Sequence, residues 1–566
     1  MNTMSAHHNS GQLNDVINFP FIDYIIKSYV PIIQQDERSY KKIKMSIFRQ
    51  SMIHSSSVEF ESDPTYERLE YLGDAIFHVV ITEYLYKRYD EENIGFLTKL
   101  RIKIERGESM AKLSAILELD RYVQYRYIKL NDHIMEDIFE AFVGAFYLNF
   151  GFVHVKAFII ELLERHMDFA VLIAYNDNYK DILLQYFHKM KWGFPKYALS
   201  GARSRSNSKT GRNSFDQSEK KKYVSIVRNP FGKILGEGSS SSKKKAEQLA
   251  SKHALVKLGV IVSGVGDNID PDWIKKIESM LELTDDVVDP KKKKKTDDES
   301  ESKVSVYNPN NQLMKKEDIK HILRTYNVPY QKNIKISYKI FYEAMTHKSY
   351  LRRKNLTAKD KKCAVGCVPL QSNSNDRLQF LGDSVIHFII GEFLYSKYKA
   401  QDEGFMTRLR CKLENRDSLF YLAKQIGIDD YVLLSQNIDV LYGNRKNVNI
   451  VGGGLEAFVG AVYLEIGLNT TREFFLEVVR TELDIDEIAD SETNYKEIIS
   501  QIYVKNRWGY PVYRILKEDG PDHAKIFTMG LYYDNKLITK GTANSKKKAE
   551  QIASKRMYEQ LQAQGK

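Results

Sequence analysis

Apolar residues in two long stretches of the chain recur at intervals of three and four, the spacing of an α-helix that packs on one face. The stretches span residues 18–175 and 318–488, and their Gly and Pro residues fall between the periodic segments. We call them the first and second helical domains. The pattern predicts that each is all-α.

Two shorter stretches, residues 178–260 and 494–566, have a different period. Each begins with an amphipathic helical pattern, passes through Trp-Gly-aromatic-Pro, and then alternates apolar and polar residues as strands do, at 223–227 and 525–533. Each ends in a helical pattern that starts with three lysines. We call them the first and second mixed domains, and we expect an α-β-β-β-α order and an α+β fold in each.

The four stretches are two copies of one unit, a helical domain followed by a mixed domain. The matching segments are Glu67–Ile76 and Asp376–Val385, Gly95–Arg101 and Gly404–Arg410, Glu140–Ala145 and Glu456–Ala461, Tyr179–Tyr197 and Tyr495–Tyr513, and Ser242–Gln248 and Ser545–Gln551.

Two segments lack a folded pattern. Residues 1–17 are predicted to be a disordered tail, and residues 261–317 a charged linker in which the lysines of 291–295 precede a run of acids. The lysine run is also compatible with a nuclear-import signal. We therefore expect an intracellular protein, and the sequence does not decide between the cytoplasm and the nucleus.

Four acidic residues of the first helical domain can converge. Glu70 and Asp74 share one face of a predicted helix, and Asp137 and Glu140 share a face of another. Such spacing is more often a solvated face or half of an ion pair. If the two faces oppose each other, however, four carboxylates meet, and burying them is costly unless a cation joins them. An all-oxygen cluster suits Mg²⁺ or Mn²⁺ better than zinc, and it suits two-metal phosphodiester hydrolysis.

Composition narrows the setting. Of 566 residues, 85 are Lys or Arg and 74 are Asp or Glu, so the net charge is 85 − 74 = +11, which is compatible with a polyanionic partner. Three cysteines in so long a chain indicate a reducing compartment and no disulfide framework. The first residues lack the pattern of a signal peptide. Polar residues interrupt the apolar stretch 141–163, which predicts buried helices and no membrane span.

The residues around the four acids resemble those of a known protein family. Glu67–Ile76 and Glu136–Ala145 resemble the two metal-binding segments of the ribonuclease III family, and the mixed domains resemble the double-stranded-RNA-binding domain. The resemblance implies an endoribonuclease that uses Mg²⁺, with Mn²⁺ able to substitute. It implies cleavage of double-stranded RNA to 5′-phosphate and 3′-hydroxyl ends, in the processing of ribosomal or other RNA. It also implies that the catalytic and metal-binding acids are Glu70, Asp74, Asp137 and Glu140, with Glu67 in the same cleft and Gly73 at a close approach of backbones.

The second helical domain departs from this pattern. Asp376, Asp383 and Glu456 stand at the positions of Glu67, Asp74 and Glu140, but Gln379 replaces Glu70 and Gly453 replaces Asp137. Losing two of four anionic ligands removes most of the attraction for hard cations, so this site is expected to be degenerate.

The family works as dimers, so two copies in one chain imply an intramolecular pseudo-dimer. With one working centre it would cut one strand. The alternative is a homodimer in which two chains pair through their first helical domains and cut both strands.

The resemblance also implies RNA-binding residues in the mixed domains, where duplex RNA is recognised by its shape. In the first mixed domain a long basic loop at 201–212 replaces the Gly-Pro-x-His loop of the second. The implied residues are Gln501, Gly520, Pro521, His523, Lys546 and Lys547 in the second mixed domain, and Gln185, Lys243 and Lys244 in the first.

Two rival functions remain open. One is a non-catalytic binder of double-stranded RNA, such as a suppressor of RNA silencing or a ribosome-associated pseudoenzyme. The other is a DNA endonuclease. The mixed domains argue against it, because the RNA-binding domains that they resemble are specific for A-form duplexes. The intact acids of the first helical domain favour a nuclease over a non-catalytic binder. The sequence does not identify the RNA substrate.

Overall fold

A computed structural model gives the fold of the chain between residues 15 and 563. The described residues exclude 36–39, 41, 61–62, 175–178, 191, 201–222, 241, 261–304, 327–336, 354–355, 357–359, 361–363, 443, 493–494, 507 and 521–524.

The chain forms two compact units, each built from separate pieces of sequence. One consists of Met1–Ile94, Met110–Lys156 and Val304–Lys566. The other consists of Gly95–Ser109 and Ala157–Lys303.

The first helical domain is all-α over its described residues, as predicted. Short 3₁₀ turns at Pro31–Gln35, Ser55–Ser57 and Leu119–Arg121 link its helices. The helices are α1 (Phe19–Tyr29), α2 (Met45–Gln50), α3 (Glu67–Arg88), α4 (Ile94–Ile104), α5 (Gly107–Ile116), α6 (Asp132–His166) and α7 (Phe169–Ala174).

The second helical domain follows the same order of helices with two differences: it has an additional short helix at Gln436–Tyr442, and Val448–Ile466 and Leu468–Glu482 are separate helices where the first domain has α6. Its 3₁₀ turns are Lys348–Tyr350, Ile428–Asp430 and Asn444–Lys446. The first mixed domain, which lies between the two helical domains in sequence, contributes α8 (Tyr179–Lys189) and α9 (Lys243–Lys257). The helices are α10 (Lys316–Thr325), α11 (Tyr338–Ala344), α12 (Asp376–Lys397), α13 (Glu403–Leu413), α14 (Arg416–Gln425), α15 (Gln436–Tyr442), α16 (Val448–Ile466), α17 (Leu468–Glu482) and α18 (Ile485–Glu492).

Charge at the helix ends stabilises the matching helices α3 and α12. α3 has Glu67 and Glu70 in its first turn and Lys87 and Arg88 in its last, and the helix dipole favours this arrangement. α12 repeats it with Asp376 and Lys397. Their apolar residues lie in the domain cores, as the three-and-four spacing predicted.

Glycine sets the direction of the next long helix in both copies. In α6, Gly151 has φ 78° and ψ 176°, so the helix is interrupted at this residue. The matching Gly467 has φ 86° and separates α16 from α17. Because L-residues with side chains rarely adopt such positive φ values, glycine is required at both places.

α6 and α16 are long and apolar enough, by length and composition alone, to cross a membrane. Core helices pass the same test, and both bury apolar side chains inside their domains.

Both mixed domains have the predicted α-β-β-β-α order. The first comprises α8, strands β1 (Lys196–Ser200), β2 (Tyr223–Arg228) and β3 (Ile234–Ser240), and α9; the second comprises α19 (Tyr495–Lys505), β4 (Val512–Asp519), β5 (Ile526–Tyr533), β6 (Lys536–Ala543) and α20 (Lys546–Ala563). Each sheet is antiparallel in sequence order, β1-β2-β3 and β4-β5-β6.

Glycine lets the last helix of each mixed domain lie directly on its sheet. A Cβ atom on Gly238 would lie 2.4 Å from the carbonyl oxygen of Ala246, and one on Gly541 would lie 2.2 Å from that of Ala549. The helix and sheet backbones therefore touch at equivalent places in the two copies.

Part of the predicted linker is folded. The predicted linker ran from 261 to 317; of these, residues 261–304 lie outside the described residues, but 305–317 pack into the second helical domain. Ser305 Oγ donates to Asp360 Oδ1 at 2.8 Å, and buried Asn308 donates to the Leu434 carbonyl at 3.1 Å. The polar residues of this segment are thus held by buried hydrogen bonds, which residue composition did not indicate.

Of the predicted tail, Ile17 is buried, and residues 1–14 lie outside the described residues.

Candidate active site

The frame of the site is a crossing of two helices at glycine. A Cβ atom on Gly73 of α3 would lie 1.8 Å from the carbonyl oxygen of Glu140 on α6. One on Gly144 of α6 would lie 2.3 Å from the carbonyl oxygen of Leu69. The two backbones are therefore in direct contact, which confirms the close approach expected at Gly73.

This crossing brings the predicted acids together. Glu70 and Asp74 flank Gly73 on α3, while Asp137 and Glu140 precede Gly144 on α6. Asp137 and Glu140 are each only 8% exposed. The hydroxyl of Tyr66 donates to Asp137 Oδ2 at 3.1 Å, and His133 Nδ1 lies 3.1 Å from Asp137 Oδ1.

Burial and mutual repulsion disfavour the ionised form of most of these acids. Burial, with the charges of Asp137 and Glu403 next in importance, raises the pKa of Glu70 to about 9. Burial, followed by the charges of Asp74 and Glu70, raises the pKa of Glu140 well above its ordinary value. Burial also raises the pKa of Asp137, although His133 and the Tyr66 hydrogen bond oppose it. Three carboxyl groups therefore bear an electrostatic cost that a bound cation would relieve.

Asp74 behaves differently, because two basic side chains of the second helical domain lie beside it. His387 Nε2 and Arg410 Nη2 are each 3.7 Å from Asp74 Oδ2. Burial would raise the pKa of Asp74, but interactions with His387 and then Arg410 outweigh it and lower the pKa. Sequence reasoning missed both residues.

A further acid comes from the second helical domain. Glu403, the first residue of α13, interacts electrostatically with Glu67, Glu70 and Asp137. Burial first, and then the charges of Glu67 and Asp137, raise the pKa of Glu403. A signal was available in the repeat: Glu403 precedes Gly404, whereas Ile94 precedes the matching Gly95. The first acid cluster thus contains side chains from both helical domains.

The second acid cluster uses the same frame with different contents. A Cβ atom on Gly382 would lie 1.7 Å from the carbonyl oxygen of Glu456, and one on Gly460 would lie 2.5 Å from that of Leu378. A Cβ atom on Gly453 would lie 3.0 Å from Cδ and Nε2 of Gln379. The amide of Gln379 thus lies against the place where a side chain at 453 would begin.

Of the remaining acids of this cluster, Glu456 is disfavoured in its ionised form. Burial, with the charge of Asp383, raises the pKa of Glu456 to about 8, although a hydrogen bond from Gln379 and the charge of Arg416 oppose it. Asp383 is exposed, and Asp376 accepts a hydrogen bond from Ser374 Oγ at 2.9 Å. The cluster therefore has fewer anionic groups to offer a cation.

The donor set of the first cluster fits a hard divalent cation. Its four predicted ligands are all carboxylates and interact with one another electrostatically. Asp137 also belongs to a group with His133 and Glu136 whose ligand atoms all lie within 4.8 Å of one another. Oxygen donors of this kind are those that Mg²⁺ and Mn²⁺ prefer.

The two helical domains contact each other through α3 and α12 in a reciprocal way. The guanidinium of Arg68 donates to the carbonyl oxygens of Tyr395 (3.0 Å), Tyr398 (2.9 Å) and Gln401, and the matching Arg377 donates to those of Tyr86 (2.8 Å), Tyr89 (2.9 Å) and Glu92. Each copy therefore makes the same contact with the other.

A second reciprocal set surrounds two acids. Tyr463 donates to Glu83 Oε2 at 2.7 Å, and Lys156 pairs with the same oxygen at 2.6 Å. In the other copy, Tyr147 donates to Glu392, which pairs with Arg472 at 2.6 Å. Residue and partner exchange roles between the copies, as in an interface with two-fold symmetry.

The predicted RNA-binding residues are only partly described. Lys243 and Lys244, like Lys546 and Lys547, are exposed at the start of the last helix of their domains. Lys546 Nζ lies 3.5 Å from Glu518 Oε1. Gln185 and Gln501 lie on α8 and α19, and Gly520, with φ 90°, directly follows β4. Pro521, His523 and the basic loop 201–212 lie outside the described residues.

Family models match all four domains. The ribonuclease III domain matches residues 67–151, and the ribonuclease-III-like model matches residues 337–483. The double-stranded RNA binding motif matches residues 179–258 and 495–561. The first two matches contain both acid clusters.

Similar proteins carry related descriptions. A protein of Acanthamoeba polyphaga mimivirus described as probable ribonuclease 3 is 58% identical over 547 residues, which are 96% of this chain and 97% of the relative. Ribonuclease 3 of Syntrophomonas wolfei is 33% identical over 216 residues, 38% of this chain and 85% of the relative. The solved nuclease domain of ribonuclease III from Campylobacter jejuni is 25% identical, with a TM-score of 0.24, and covers 30% of this chain and 98% of its own.

Proposed function

The chain belongs to the ribonuclease III family and is an endoribonuclease, and we propose that it hydrolyses double-stranded RNA at the acid cluster of its first helical domain. The observation that carries this proposal is the convergence of Glu70, Asp74, Asp137 and Glu140 at the glycine crossing of α3 and α6.

The four acids are the proposed ligands of Mg²⁺, with Mn²⁺ able to substitute. Two bound ions would supply a nucleophilic water near neutral pH and stabilise charge on the leaving oxygen, leaving 5′-phosphate and 3′-hydroxyl ends. The protein fixes the carboxylates on two helices in backbone contact, so little reorganisation is needed when the ligands are engaged. Tyr66 holds one oxygen of Asp137 by its 3.1 Å hydrogen bond. Glu67, one turn before Glu70, is proposed to help place the RNA or the ions.

We propose further that the two helical domains form an intramolecular pseudo-dimer. The exchanged contacts of Arg68 and Arg377, and of Tyr147 and Tyr463, support it, because a two-fold interface pairs the same patch with itself. Most of these groups are partly buried and their hydrogen bonds are satisfied across the interface.

The second acid cluster is proposed to be inactive, so that the pseudo-dimer cuts one strand. Gly453 offers no ligand and Gln379 offers a neutral amide. A Cβ atom at position 453 would lie 3.0 Å from the amide of Gln379, closer than ordinary van der Waals contact, which supports a site closed over its missing acid.

The mixed domains are proposed to bind the duplex. Exposed lysines at the start of α9 and of α20 stand at helix N-termini, where ammonium groups and backbone N–H groups can meet phosphates. Duplex RNA is recognised in this way by its shape, across successive minor grooves and the phosphates between them.

A long end-labelled RNA duplex, incubated with Mg²⁺ and analysed on native and denaturing gels, tests the proposal. The wild type is expected to produce nicks that only the denaturing gel reveals, and the variant Asp74→Asn, Glu140→Gln none. Short duplex products would instead indicate that chains pair through their first helical domains, or that the second cluster works. Tight binding without cleavage would favour a non-catalytic binder of double-stranded RNA.

A further inference from the structure

We propose that the second helical domain, although its own cluster lacks two acids, supplies two positioning residues to the first active centre: His387 and Arg410 hold Asp74 in place. This inference rests on the proposed function, in which Asp74 is a ligand of the catalytic ions. It gives the degenerate domain a role in the reaction of the intact one.

The geometry brings two basic side chains within ion-pair distance of one oxygen. His387 Nε2, on α12, lies 3.7 Å from Asp74 Oδ2, and Arg410 Nη2, on α13, lies 3.7 Å from the same atom. Two basic groups on separate helices restrict the rotation of the carboxylate more than one such group would.

His387 is itself held from its far side. Its Nδ1 lies 3.0 Å from Glu414 Oε2, the residue that follows α13. The imidazole therefore bridges a carboxylate of the second domain and a carboxylate of the first. Bridges of this form fix the orientation of the ring and, through the ring, that of the group beyond it.

Arg410 is fixed by packing. The residue is 8% exposed, and its guanidinium lies 4.6 Å from the centre of the Tyr71 ring on α3. Among the described residues, its Nη1 has no hydrogen-bond partner. A buried guanidinium needs a nearby anion, and Asp74 lies within 4 Å of it. Its aromatic contact and its ion pair both reach across to the first domain.

The test measures the rate of duplex nicking by the full chain as a function of Mg²⁺ concentration. We expect His387→Ala and Arg410→Ala each to lower kcat, and to raise the Mg²⁺ concentration needed for half-maximal rate, by about 10- to 100-fold, the range for residues that orient metal ligands. KM for the duplex should change by less than about twofold, because neither side chain is proposed to contact RNA. His387→Gln and Arg410→Lys keep a donor and should recover part of the loss.

Arg377→Ala is the matched control for a merely structural role. It removes hydrogen bonds from the second domain to Tyr86, Tyr89 and Glu92 of the first without touching Asp74. If His387 and Arg410 acted only by holding the domains together, Arg377→Ala would shift the Mg²⁺ requirement as much as they do, and the proposal would be overturned.

Two other results would overturn it. An unchanged Mg²⁺ requirement in both alanine variants would show that Asp74 needs no support. A lower requirement would show that the two cations merely compete with Mg²⁺ for Asp74, since removing positive charge strengthens cation binding.

Asp74→Asn separates this inference from the proposed function. Undiminished nicking by Asp74→Asn would refute the role of the first cluster, and this inference with it. Loss of nicking in Asp74→Asn beside normal behaviour of the His387 and Arg410 variants would refute this inference alone. Because Arg410 is buried, melting curves of all variants establish that each is folded, and His387→Gln and Arg410→Lys carry the test if an alanine variant unfolds.

Discussion

The two acid clusters of this chain share one backbone frame and differ in what it holds. In both, glycines on two helices permit direct backbone contact, with hypothetical Cβ atoms at 1.8 Å (Gly73) and 1.7 Å (Gly382) from a carbonyl oxygen. The first frame presents four carboxylates, and the second presents two with Gln379 and Gly453. The frame therefore does not need its ligands in order to form.

The difference has a physical basis in what each change costs. Carboxylates that crowd one another raise the free energy of the metal-free fold, so their loss relieves repulsion, against a cost of about 1 kcal/mol for a glycine inside a helix. The crossing glycines and the arginines of the interface contribute to packing, and a change there would disturb both domains. Ligands can thus be lost from one copy while the fold and the interface persist.

The largest expected effect is on the rate of RNA cleavage, when the same acid is replaced in each of the two clusters. Glu140→Gln should lower the rate of RNA cleavage by about 10³-fold, because losing one anionic ligand removes several kcal/mol of transition-state stabilisation. The matched change Glu456→Gln should leave the rate within about twofold. Single-turnover cleavage of an end-labelled duplex measures both, and equal losses in the two variants would contradict an inactive second cluster.

The shared frame can be tested with the crossing glycines. Gly73→Ala and Gly382→Ala should each lower the free energy of unfolding by about 3 kcal/mol, because each Cβ would meet a backbone carbonyl oxygen. Urea unfolding of the metal-free chain measures this. Gly452→Ala is the control: its Cβ would have its nearest contact at 3.6 Å, and alanine favours the helix, so its stability should be unchanged or slightly higher. A similar loss of stability in all three variants would show that backbone contact at the helix crossing is not the cause.

Restoring the missing acids would narrow the difference. Gln379→Glu with Gly453→Asp should add cleavage of the second strand, at a rate about 10- to 100-fold below that of the first centre, because the surrounding residues are not arranged to support the new ligands. Adding Ile94→Glu, at the position matching Glu403, should raise it further. Double-strand breaks on native gels report the gain. The same substitutions in a chain that also carries Glu140→Gln should produce nicks in the second strand alone.

The most gradual effect concerns the dependence of stability on pH. Because the pKa of Glu456 is about 8 in the folded protein against an ordinary 4.5, the folded state keeps a proton that the unfolded state releases between these values. Stability therefore falls as pH rises through this window, by about 1 kcal/mol per pH unit. Glu456→Gln should remove this contribution, so urea unfolding between pH 5.5 and 8 in EDTA should show a shallower slope than the wild type. Parallel slopes would show that Glu456 titrates normally.

Much of the fold could be predicted from local pattern. The three-and-four spacing of apolar residues predicted the helical domains, and alternation predicted the strands, because each pattern reflects which side of an element faces its core. The internal repeat allowed the two copies to be compared. The loss of ligands at Gln379 and Gly453 is recognised only because Glu70 and Asp137 occupy the matching positions. The folded segment 305–317 was wrongly assigned to the linker, because buried hydrogen bonds hold its polar residues and composition gives no sign of them.

The sequence by itself determined the two acid pairs, their helical faces, the duplication and the loss of ligands in the second copy, because each follows from spacing along one element or from comparison of two segments. Only the tertiary structure decided that His387, Arg410 and Glu403 lie beside the first cluster. These residues are hundreds of positions from Asp74 along the chain, and no periodicity links them to it. Their proximity depends on how α3 and α12 pack, which is a property of two surfaces and not of either sequence segment alone.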